Sequence, residues 1–565
     1  MGDELLDMVV VGGGLAGLTA ATRASEGGLA PVVLEQGSQE RYPCNSRSSG
    51  GILHVAYNDV SLPPHVLAAA VRKAMDADAD EALIEAVSRR AGPALQWVQS
   101  HGARFVKASP TPWHRWMLAP PRPMQAGLDF PGRGPDRLVS TLAADLKANG
   151  GQLLLGHQVK SVERAAHGFN VAVATPQGPR DLRTKALVLA DGGFQGDAQL
   201  MRRHIGPRPE HIVQRGAGTG RGTAVRIGEA LGCGFSRMDR FYGHPLSRDA
   251  LTNPALWPYP MLDTLVLSCM VVDREGRRIV DEGRGGIHLA NFLAKLDDPA
   301  SCFLVLDQAI WESAGRESLL PANPHLETGG ATILRASDPA GLAALAGIDA
   351  QGLAATLDEY NWATQAGPDA LAALEVARTG SARVIGEGLL MAIPMAPGIT
   401  NTMGGISVDA DARALDTYGA PIPGLYAVGA SAGGLEGGAQ IGYVGGLMRG
   451  LTSGLAAAEH VLVAAGRNVP SVMAAAPAHA DASAPLGTGA RRGPSVRVLR
   501  LITRNAQTFA AASALLAAVG AGCIGALAGA AFAVVLALGA GVGGYLLAAA
   551  FAEMAAIILD MLVPD

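Results

Sequence analysis

LLDMVVVGGGLAGLTAATRASEGGLAPVVLEQ, residues 5–36, is the stretch that decides the fold. It begins with an apolar run typical of a buried strand and continues into three consecutive glycines. Residues 15–28 then favour a helix, and residues 31–36 favour a second strand parallel to the first. This order of strand, turn, helix and strand predicts a βαβ unit at the start of a Rossmann-like α/β domain.

The glycines of this stretch have the GxGxxG spacing of a dinucleotide-binding turn. The first allows the tight turn, the second lets the backbone approach a pyrophosphate, and the third packs the helix on the strand. The phosphates would sit at the helix N-terminus, and an acidic residue closing the second strand would bind ribose hydroxyls. The residues assigned to this part of the site are Gly12, Gly14, Leu15, Ala16, Gly17, Glu35 and Gln36.

Composition excludes several classes of function. The net charge of −5 and the sequence pI near 6.2 give no argument for binding nucleic acid. The five cysteines are scattered without a CxxC pair, so we expect no disulfide framework, no zinc site and a reducing compartment. We expect no metal ligands, and the acidic N-terminus lacks the features of a signal peptide.

The chain is predicted to contain a split nucleotide-binding domain with an insertion. Residues 1–240 form its first part and residues 391–463 its second part. Residues 241–390 show mixed helix and strand patterns without a βαβ repeat, which predicts an inserted α+β cap domain. Residues 464–496 are rich in Ala, Pro, Gly and Ser and are predicted to be a linker.

The C-terminal segment, 497–565, is predicted to be an apolar helical hairpin that anchors the protein in a membrane. Residues 505–552 contain no Asp, Glu, Lys, Arg or His, and this run is long enough for two membrane helices. The arginines before it favour the cytoplasmic side, so we expect the protein at the cytoplasmic face of the cell membrane. The alternative is an apolar hairpin buried in an oligomer or against a partner.

Three further stretches resemble one flavoprotein family. They are NSRSSGGI (45–52), ALVLADGGFQGD (186–197) and PIPGLYAVGASAGG (421–434). Together they are similar to the flavoprotein subunits of fumarate reductase and succinate dehydrogenase. The closest branch in appearance includes tricarballylate dehydrogenase and 3-ketosteroid dehydrogenases. The resemblance covers about residues 5–462 and implies FAD, a split FAD domain and an inserted cap.

The resemblance also implies which residues contact FAD. Ser46, Gly50 and Gly51 would approach the flavin ring, and residues 190–192 would border the adenosine half. Because no histidine occurs between residues 36 and 53, where related proteins attach FAD, and Cys44 stands near that place, we expect non-covalent FAD. The other assigned contacts are Asn45, Ser49, Val159, Ala190, Asp191, Gly192, Gly429, Ala430 and Gly442, of which Ala430 stands where the family often has an acid.

Candidate reacting groups follow from the same resemblance. His244, in YGHPLSRD (242–249), resembles the His-Pro of fumarate reductases, where the histidine binds a substrate carboxylate. Arg284 follows the strand-like REGRRIVDE, after which the family has a proton-transferring arginine. Asp281 and Glu282 would then resupply its proton. The alternative is an arginine that only clamps a carboxylate or forms a salt bridge within the loop.

Two substitutions argue against a C4 dicarboxylate substrate. Asn401 and Thr402 lie in GITNTMGGISVD, where fumarate reductases have a histidine in place of Asn401. Gln440 stands at the position of the family's carboxylate-gripping arginine, and an amide does not replace bidentate Arg–carboxylate pairing. Tyr242 and Tyr443 are alternative proton donors, as tyrosines serve in the ketosteroid branch.

The aromatic segment TPWHRWMLAPPRP, residues 111–123, could equally line a substrate entrance or pack on the cap.

We therefore expect an FAD-dependent oxidoreductase that moves a hydride to or from a carbon next to a carbonyl or carboxylate. Its partners would be a small-molecule substrate and, through the membrane tail, a quinone or a membrane redox protein. The chain contains no haem-binding CxxCH and no iron–sulfur cysteine spacing. Two other classes stay open: a flavoprotein scaffold without turnover, and an oxidase of the same fold that uses oxygen.

Overall fold

The computed structural model describes residues 5–76, 80–122, 127, 130–380 and 382–471. These residues belong to one compact unit, which extends over residues 1–476. The predicted linker, 464–496, lies mostly outside the described residues, and the predicted apolar hairpin lies wholly outside them.

The predicted location at the membrane requires correction. Within the ranges just given, none of the helices has both the length and the apolar character needed to cross a bilayer. That finding contradicts the predicted location at the cytoplasmic face of the membrane.

The predicted βαβ unit is present at the centre of the largest sheet. Within the described residues this sheet has eight strands, and the strand Leu5–Val11 pairs in parallel with Val32–Glu35 on one side and with Gly178–Leu189 on the other. The outer strands are Gln152–Leu155, Pro421–Ala427 and Arg413–Leu415, with the hairpin Gln158–Ala165 and Gly168–Thr175 beside Gly178–Leu189. Parallel pairing places the carboxyl ends of the central strands together, and nucleotides bind at that edge in open α/β sheets.

Both faces of the sheet are buried, which explains the apolar run at residues 8–11 of the first strand. Met8 and Val10 contribute to a core shared with helices, whereas Val9 and Val11 belong to a second core on the opposite face. This alternation follows from the two-residue side-chain period of a strand. The helices of this part of the chain are Leu15–Glu26, Asn45–Ser48, Pro64–Met75, Glu81–Ser100, Gly134–Ala148, Ala198–His204, Thr223–Leu231 and Gly446–Ala464.

The inserted region forms a second sheet with its own core. Its longest strand, Leu390–Thr402, pairs with Phe303–Asp307 through its first half and with Phe241–Ser247 through its second half. The sheet is completed by Val213–Gln214, Met270–Val272 and Leu334–Ala336. Its helices are Asp263–Val266, Gly286–Ala294, Gln308–Glu312, Ala322–Thr328, Pro339–Ala346, Ala350–Ala366 and Pro368–Ala372.

The long strand crosses the boundary expected between residues 390 and 391. It therefore connects the predicted cap to the second part of the nucleotide-binding domain and brings residues 400–402 to the edge of that domain. Smaller strands complete the fold: His54–Val55 with Asn58–Asp59, Phe105–Val106 with Met117–Leu118, and Phe235–Ser236 with Gly405–Ser407 and Ala432–Gly433.

A histidine ties three helices of the first domain together. His101, which follows the helix Glu81–Ser100, lies between the carboxylates of Glu26 and Asp145, at 2.8 Å and 2.6 Å. Burial by itself lowers the pKa of His101, but the hydrogen bonds to both carboxylates and their negative charges raise it above its usual value. The charged imidazole is therefore the form that holds these helices together.

We expect this contact to make the protein less stable as pH rises. A raised folded pKa contributes stability that is fully present below the unfolded pKa of ~6.5 and is lost as pH rises through the folded value. Urea unfolding between pH 6 and pH 9 should show wild type losing roughly 1.5–3 kcal/mol relative to His101→Gln, the range for hydrogen bonds to charged groups. His65→Gln, at an exposed position on another helix, is the control. The same pH dependence in wild type and His101→Gln would rule out this role.

Candidate active site

The glycine turn after the first strand has the geometry of a dinucleotide cradle. Gly12 has a φ of +105°, and a Cβ there would stand 2.6 Å from the carbonyl oxygen of Ala190. A Cβ on Gly17 would stand 2.1 Å from the carbonyl oxygen of Gly12. The helix begins immediately, at Leu15, so its free N–H groups face the space above the turn.

Glu35 closes this cradle on the side of the second strand. One carboxylate oxygen accepts from the Gly13 N–H at 2.9 Å and the other from the Gly37 N–H at 2.7 Å. Burial raises the pKa of Glu35 above its usual range, although these two bonds act against the rise. Each oxygen retains a second lone pair, so the carboxylate can still accept from ribose hydroxyls.

A cavity of about 520 Å³ extends from this cradle. Most of the predicted cofactor contacts line it: Gly12, Gly14, Leu15, Ala16, Glu35, Gln36, Asn45, Ser46, Ser49, Gly50, Gly51, Val159, Ala190, Asp191, Gly192, Gly429 and Ala430. Gly17 and Gly442 do not line it, and a Cβ on either would collide with backbone. A side chain at either position would disturb the packing, so glycine is needed there.

The donors and acceptors along the cavity suit FAD. Ser46 Oγ accepts from the Leu15 N–H at 3.1 Å, which joins the helix N-terminus to the short helix that carries Asn45. Asn45 in turn bonds the Thr400 carbonyl and the Ala217 N–H, both at 2.8 Å. The glycine turn, the Glu35 carboxylate and these contacts of Ser46 and Asn45 therefore lie along one path. They fit a pyrophosphate, a ribose and a planar ring.

Burial raises the pKa values of two ionisable groups beside this path. Burial raises the pKa of the Cys44 thiol to about 11, which makes it a weak nucleophile and favours a non-covalent cofactor. Burial likewise raises the pKa of Asp191 to about 6, although its oxygens accept from the Ala224 N–H and the Ser431 hydroxyl at 3.1 Å.

The far part of the cavity is lined by stacked aromatic side chains. Tyr242 and Tyr443 stack with their ring centroids 3.7 Å apart and 9° between their planes. His244 lies 5.0 Å from Tyr242, and its Nδ1 is 2.8 Å from a carboxylate oxygen of Asp263. That contact orients the imidazole and leaves Nε2 for another partner. Asn401 also lines this part of the cavity.

His54 and Tyr57, two aromatic residues that no sequence motif marked, complete this wall. Ala56 and Tyr57 have φ values of +47° and +57° in a two-residue turn between the strands His54–Val55 and Asn58–Asp59. Positive φ costs a non-glycine residue of order 1 kcal/mol or more. The turn directs Tyr57 into the cavity, where it stacks on His54 at 5.0 Å. Since the turn contains no Gly, Asn or Asp, the sequence carried no signal for it.

The aromatic segment 111–123 contributes only in part. Trp113 and His114 line the cavity, and the Trp113 ring lies 5.3 Å from Tyr57. Trp116 does not line it; its indole N–H donates to Asp59 at 2.7 Å. We call Tyr57, Trp113, Tyr242 and Tyr443 the aromatic box.

Arg284 and Gln440 meet each other outside this cavity. The exposed Arg284 donates to the Ala439 carbonyl at 2.8 Å and to the Gln440 amide oxygen at 3.4 Å. Gln440 donates in turn to Asp76 at 3.0 Å. These contacts tie the inserted region to the glycine-rich loop before the last helix.

The carboxylates expected to resupply Arg284 have other partners. Asp281 accepts from Thr379, and Glu282 pairs with Arg278 and Arg378. Thr402 does not line the cavity either. Its hydroxyl accepts from the Phe194 N–H at 3.3 Å.

Comparison with known proteins gives consistent results. The family described as FAD binding domain matches residues 7–443. The chain is 23% identical over 457 residues to a fumarate reductase (cytochrome) of Shewanella frigidimarina, covering 78% of this chain and 74% of that protein. It is 26% identical over 510 residues to the 4-oxocyclohexanecarboxylate 2-dehydrogenase of Sinomonas cyclohexanicum, covering 75% and 87%.

A solved structure also shares the fold. The 3-ketosteroid-Δ4-(5α)-dehydrogenase of Rhodococcus jostii RHA1 superposes with a TM-score of 0.61 at 20% identity, covering 82% of this chain and 97% of that one.

Proposed function

Because the chain belongs to the FAD binding domain family and is an FAD-dependent oxidoreductase acting on C–C or C=C bonds, we propose a more specific reaction for it. The enzyme adds hydrogen to, or removes it from, a carbon–carbon bond next to a carbonyl or carboxylate of a small molecule. Its substrate is not a plain C4 dicarboxylate such as fumarate.

One observation carries this proposal: a single cavity joins the FAD cradle to the aromatic box and His244. FAD, when bound, supplies the hydride chemistry at a carbon atom. The side chains at the other end of the cavity supply what that chemistry also needs, which is a proton carrier and a group that stabilises negative charge on a carbonyl oxygen.

Tyr443 and Tyr242 are the proposed proton carriers. Burial raises the pKa of both phenols above the usual value, so each stays protonated and able to donate. The Tyr443 oxygen accepts from the Gly446 N–H at 2.7 Å, and that bond leaves its own proton free for a substrate atom. We do not include Arg284 as a proton carrier, because its contacts lie outside the cavity.

His244 and Asn401 are the proposed substrate-binding groups. The Asp263 carboxylate orients His244, and Asn401 offers a neutral amide where a second charge would be needed for a dicarboxylate. Gln440, which stands where the family has a carboxylate-binding arginine, donates to Asp76 outside the cavity and does not bind a second carboxylate. The name of the Sinomonas relative, whose substrate has one carboxylate and one ketone on a ring, supports this reading.

Anaerobic mixing of the holoprotein with candidate substrates tests the proposal. We expect saturated cyclic ketones to reduce the oxidised flavin, or conjugated acids to reoxidise flavin that has first been reduced chemically, and fumarate to act poorly. Tyr443→Phe should retain FAD and lose about 10²- to 10⁴-fold in the rate of flavin reduction or reoxidation, the range for one positioned acid or base. Tyr418→Phe, at a 94% exposed position, is the matched control.

The other classes predict different results. A flavoprotein scaffold would show no flavin redox change with any compound while binding a partner protein stably. An oxidase would produce hydrogen peroxide under turnover. Reoxidation by a quinone analogue and not by oxygen would support a dehydrogenase that passes its electrons to a redox partner.

A further inference from the structure

We infer that Arg215 binds a single carboxylate of the substrate, which makes that substrate a flat monoanion. The inference rests on the proposed function and deepens it by naming the chemical class of the substrate. It concerns a residue that neither the motifs nor the family pattern marked.

Arg215 lines the cavity beside the long strand Leu390–Thr402 and the loop 258–261. Its Nη1 donates to the Thr400 hydroxyl at 2.9 Å, its Nε to the Pro258 carbonyl at 3.3 Å, and its Nη2 to the Met261 sulfur at 3.2 Å. These contacts hold the guanidinium in one place, and a thioether is a weak acceptor. The group is therefore preorganised with donor capacity to spare.

The charge of Arg215 has no counterion among the described residues. Every hydrogen-bond partner just named is neutral, and no described carboxylate lies within ion-pair distance of it. Arg449, which also lines the cavity, differs because it pairs with the buried carboxylate of Glu436. A partly buried cation without a counterion is costly, so its position favours an anionic ligand.

Arg215 acts on the substrate end of the cavity. Its positive charge opposes the rise in the pKa of Tyr242, and its guanidinium lies 5.6 Å from the ring of Tyr259. The phosphate cradle lies at the other end, at the N-terminus of the helix Leu15–Glu26. The anion that Arg215 meets is therefore part of the molecule held by the aromatic box.

The aromatic box defines the rest of that molecule. Stacked tyrosine rings and Trp113 present flat apolar faces, which suit a planar ring or conjugated chain. Asn401 adds an uncharged amide. Two other arginines line the cavity, but Arg449 pairs with Glu436 and Arg122 donates to the Ser48 and Gly127 carbonyls, so Arg215 is the cation assigned to one carboxylate. We therefore expect planar monocarboxylates to bind and dicarboxylates to bind poorly.

Binding to the oxidised holoprotein tests this directly. The probes are trans-cinnamate, its uncharged isostere cinnamamide, and fumarate, titrated by calorimetry and by the shift in flavin absorbance. We expect cinnamate to bind most tightly. Arg215→Gln should weaken cinnamate binding about tenfold to a hundredfold and leave cinnamamide binding unchanged, because a charge-assisted hydrogen bond is lost.

Two further variants control for charge and for folding. Arg215→Lys keeps the charge without the planar fork, so its affinity for cinnamate should be intermediate. Arg221→Gln removes an exposed arginine six positions away and should change nothing. All three proteins should retain stoichiometric FAD.

Several results would overturn the inference. They are equal cinnamate affinity in wild type and Arg215→Gln, an equal loss for cinnamate and cinnamamide, no binding of cinnamate, or loss of FAD from Arg215→Gln. The last would mean that the cation serves the cofactor. If cinnamate binding depends on Arg215 but no substrate changes the flavin redox state, the site stands and the proposed function fails.

Discussion

Gly17→Ala should lower FAD affinity by at least about 100-fold, which is the largest functional effect that we expect from a single methyl group. The added Cβ would stand 2.1 Å from the Gly12 carbonyl oxygen and 3.1 Å from Ala190 Cβ and Val10 Cγ1. Neither strand nor helix can move away without opening the cradle. Overpacking of this kind costs ~3 kcal/mol or more, which corresponds to a loss of FAD affinity of at least about 100-fold.

The ratio of FAD to protein after purification and after reconstitution measures this effect. Gly92→Ala is the matched control, since it is also a helical glycine but a Cβ there meets no atom within 4 Å. The control should retain full FAD and gain slightly in stability, by up to about 1 kcal/mol. Stoichiometric FAD in Gly17→Ala would show that the glycine turn is not where the dinucleotide binds.

Glu282→Ala should cause the largest loss of stability among the changes considered. Its carboxylate is fully buried and contacts Arg278 at 2.7 Å, Arg378 at 3.5 Å and the Val271 N–H at 2.8 Å. Removing it leaves two buried guanidinium groups without their shared counterion. We expect the free energy of unfolding to fall by about 3–5 kcal/mol, as for other broken buried ion pairs.

Denaturant unfolding of the holoprotein gives this number directly. Glu275→Ala, on the exposed turn seven residues earlier, should leave the free energy of unfolding nearly unchanged. If both variants unfold at the same denaturant concentration as wild type, Glu282 does not hold the inserted region together. The loop that carries Arg284 would then have to be held in place by other contacts.

The sequence motifs predicted the family correctly, and the family match over residues 7–443 confirms it. The FAD cofactor was also predicted correctly, because the motif that indicates it is local. Gly13 and Glu35 are joined by one turn, one helix and one strand, so their spacing already brings them into contact. The contacts assigned by resemblance near Ser46 and Asp191 line the same cavity.

The membrane location was predicted wrongly, since it relied on an apolar run without charges and on the arginines before it. Composition reports the length of an apolar run, whereas crossing a bilayer requires a continuous helix, and the described helices include none that qualifies. The role of Arg284 was also assigned from position in a motif. Its contacts with Ala439 and Gln440 depend on how two segments 155 residues apart meet.

The sequence by itself determined the βαβ unit, the FAD cradle and the chemical class, because those depend on residues a few turns apart in the chain. Only the tertiary structure brought Arg215, Tyr57, Tyr242 and Tyr443 to one cavity, since they come from four separate segments. Two of them, Arg215 and Tyr57, lie in no motif marked in the sequence, and the turn that presents Tyr57 contradicts local backbone preference. The substrate recognition proposed here therefore depends on long-range packing, whereas the motif for the cofactor depends on local sequence.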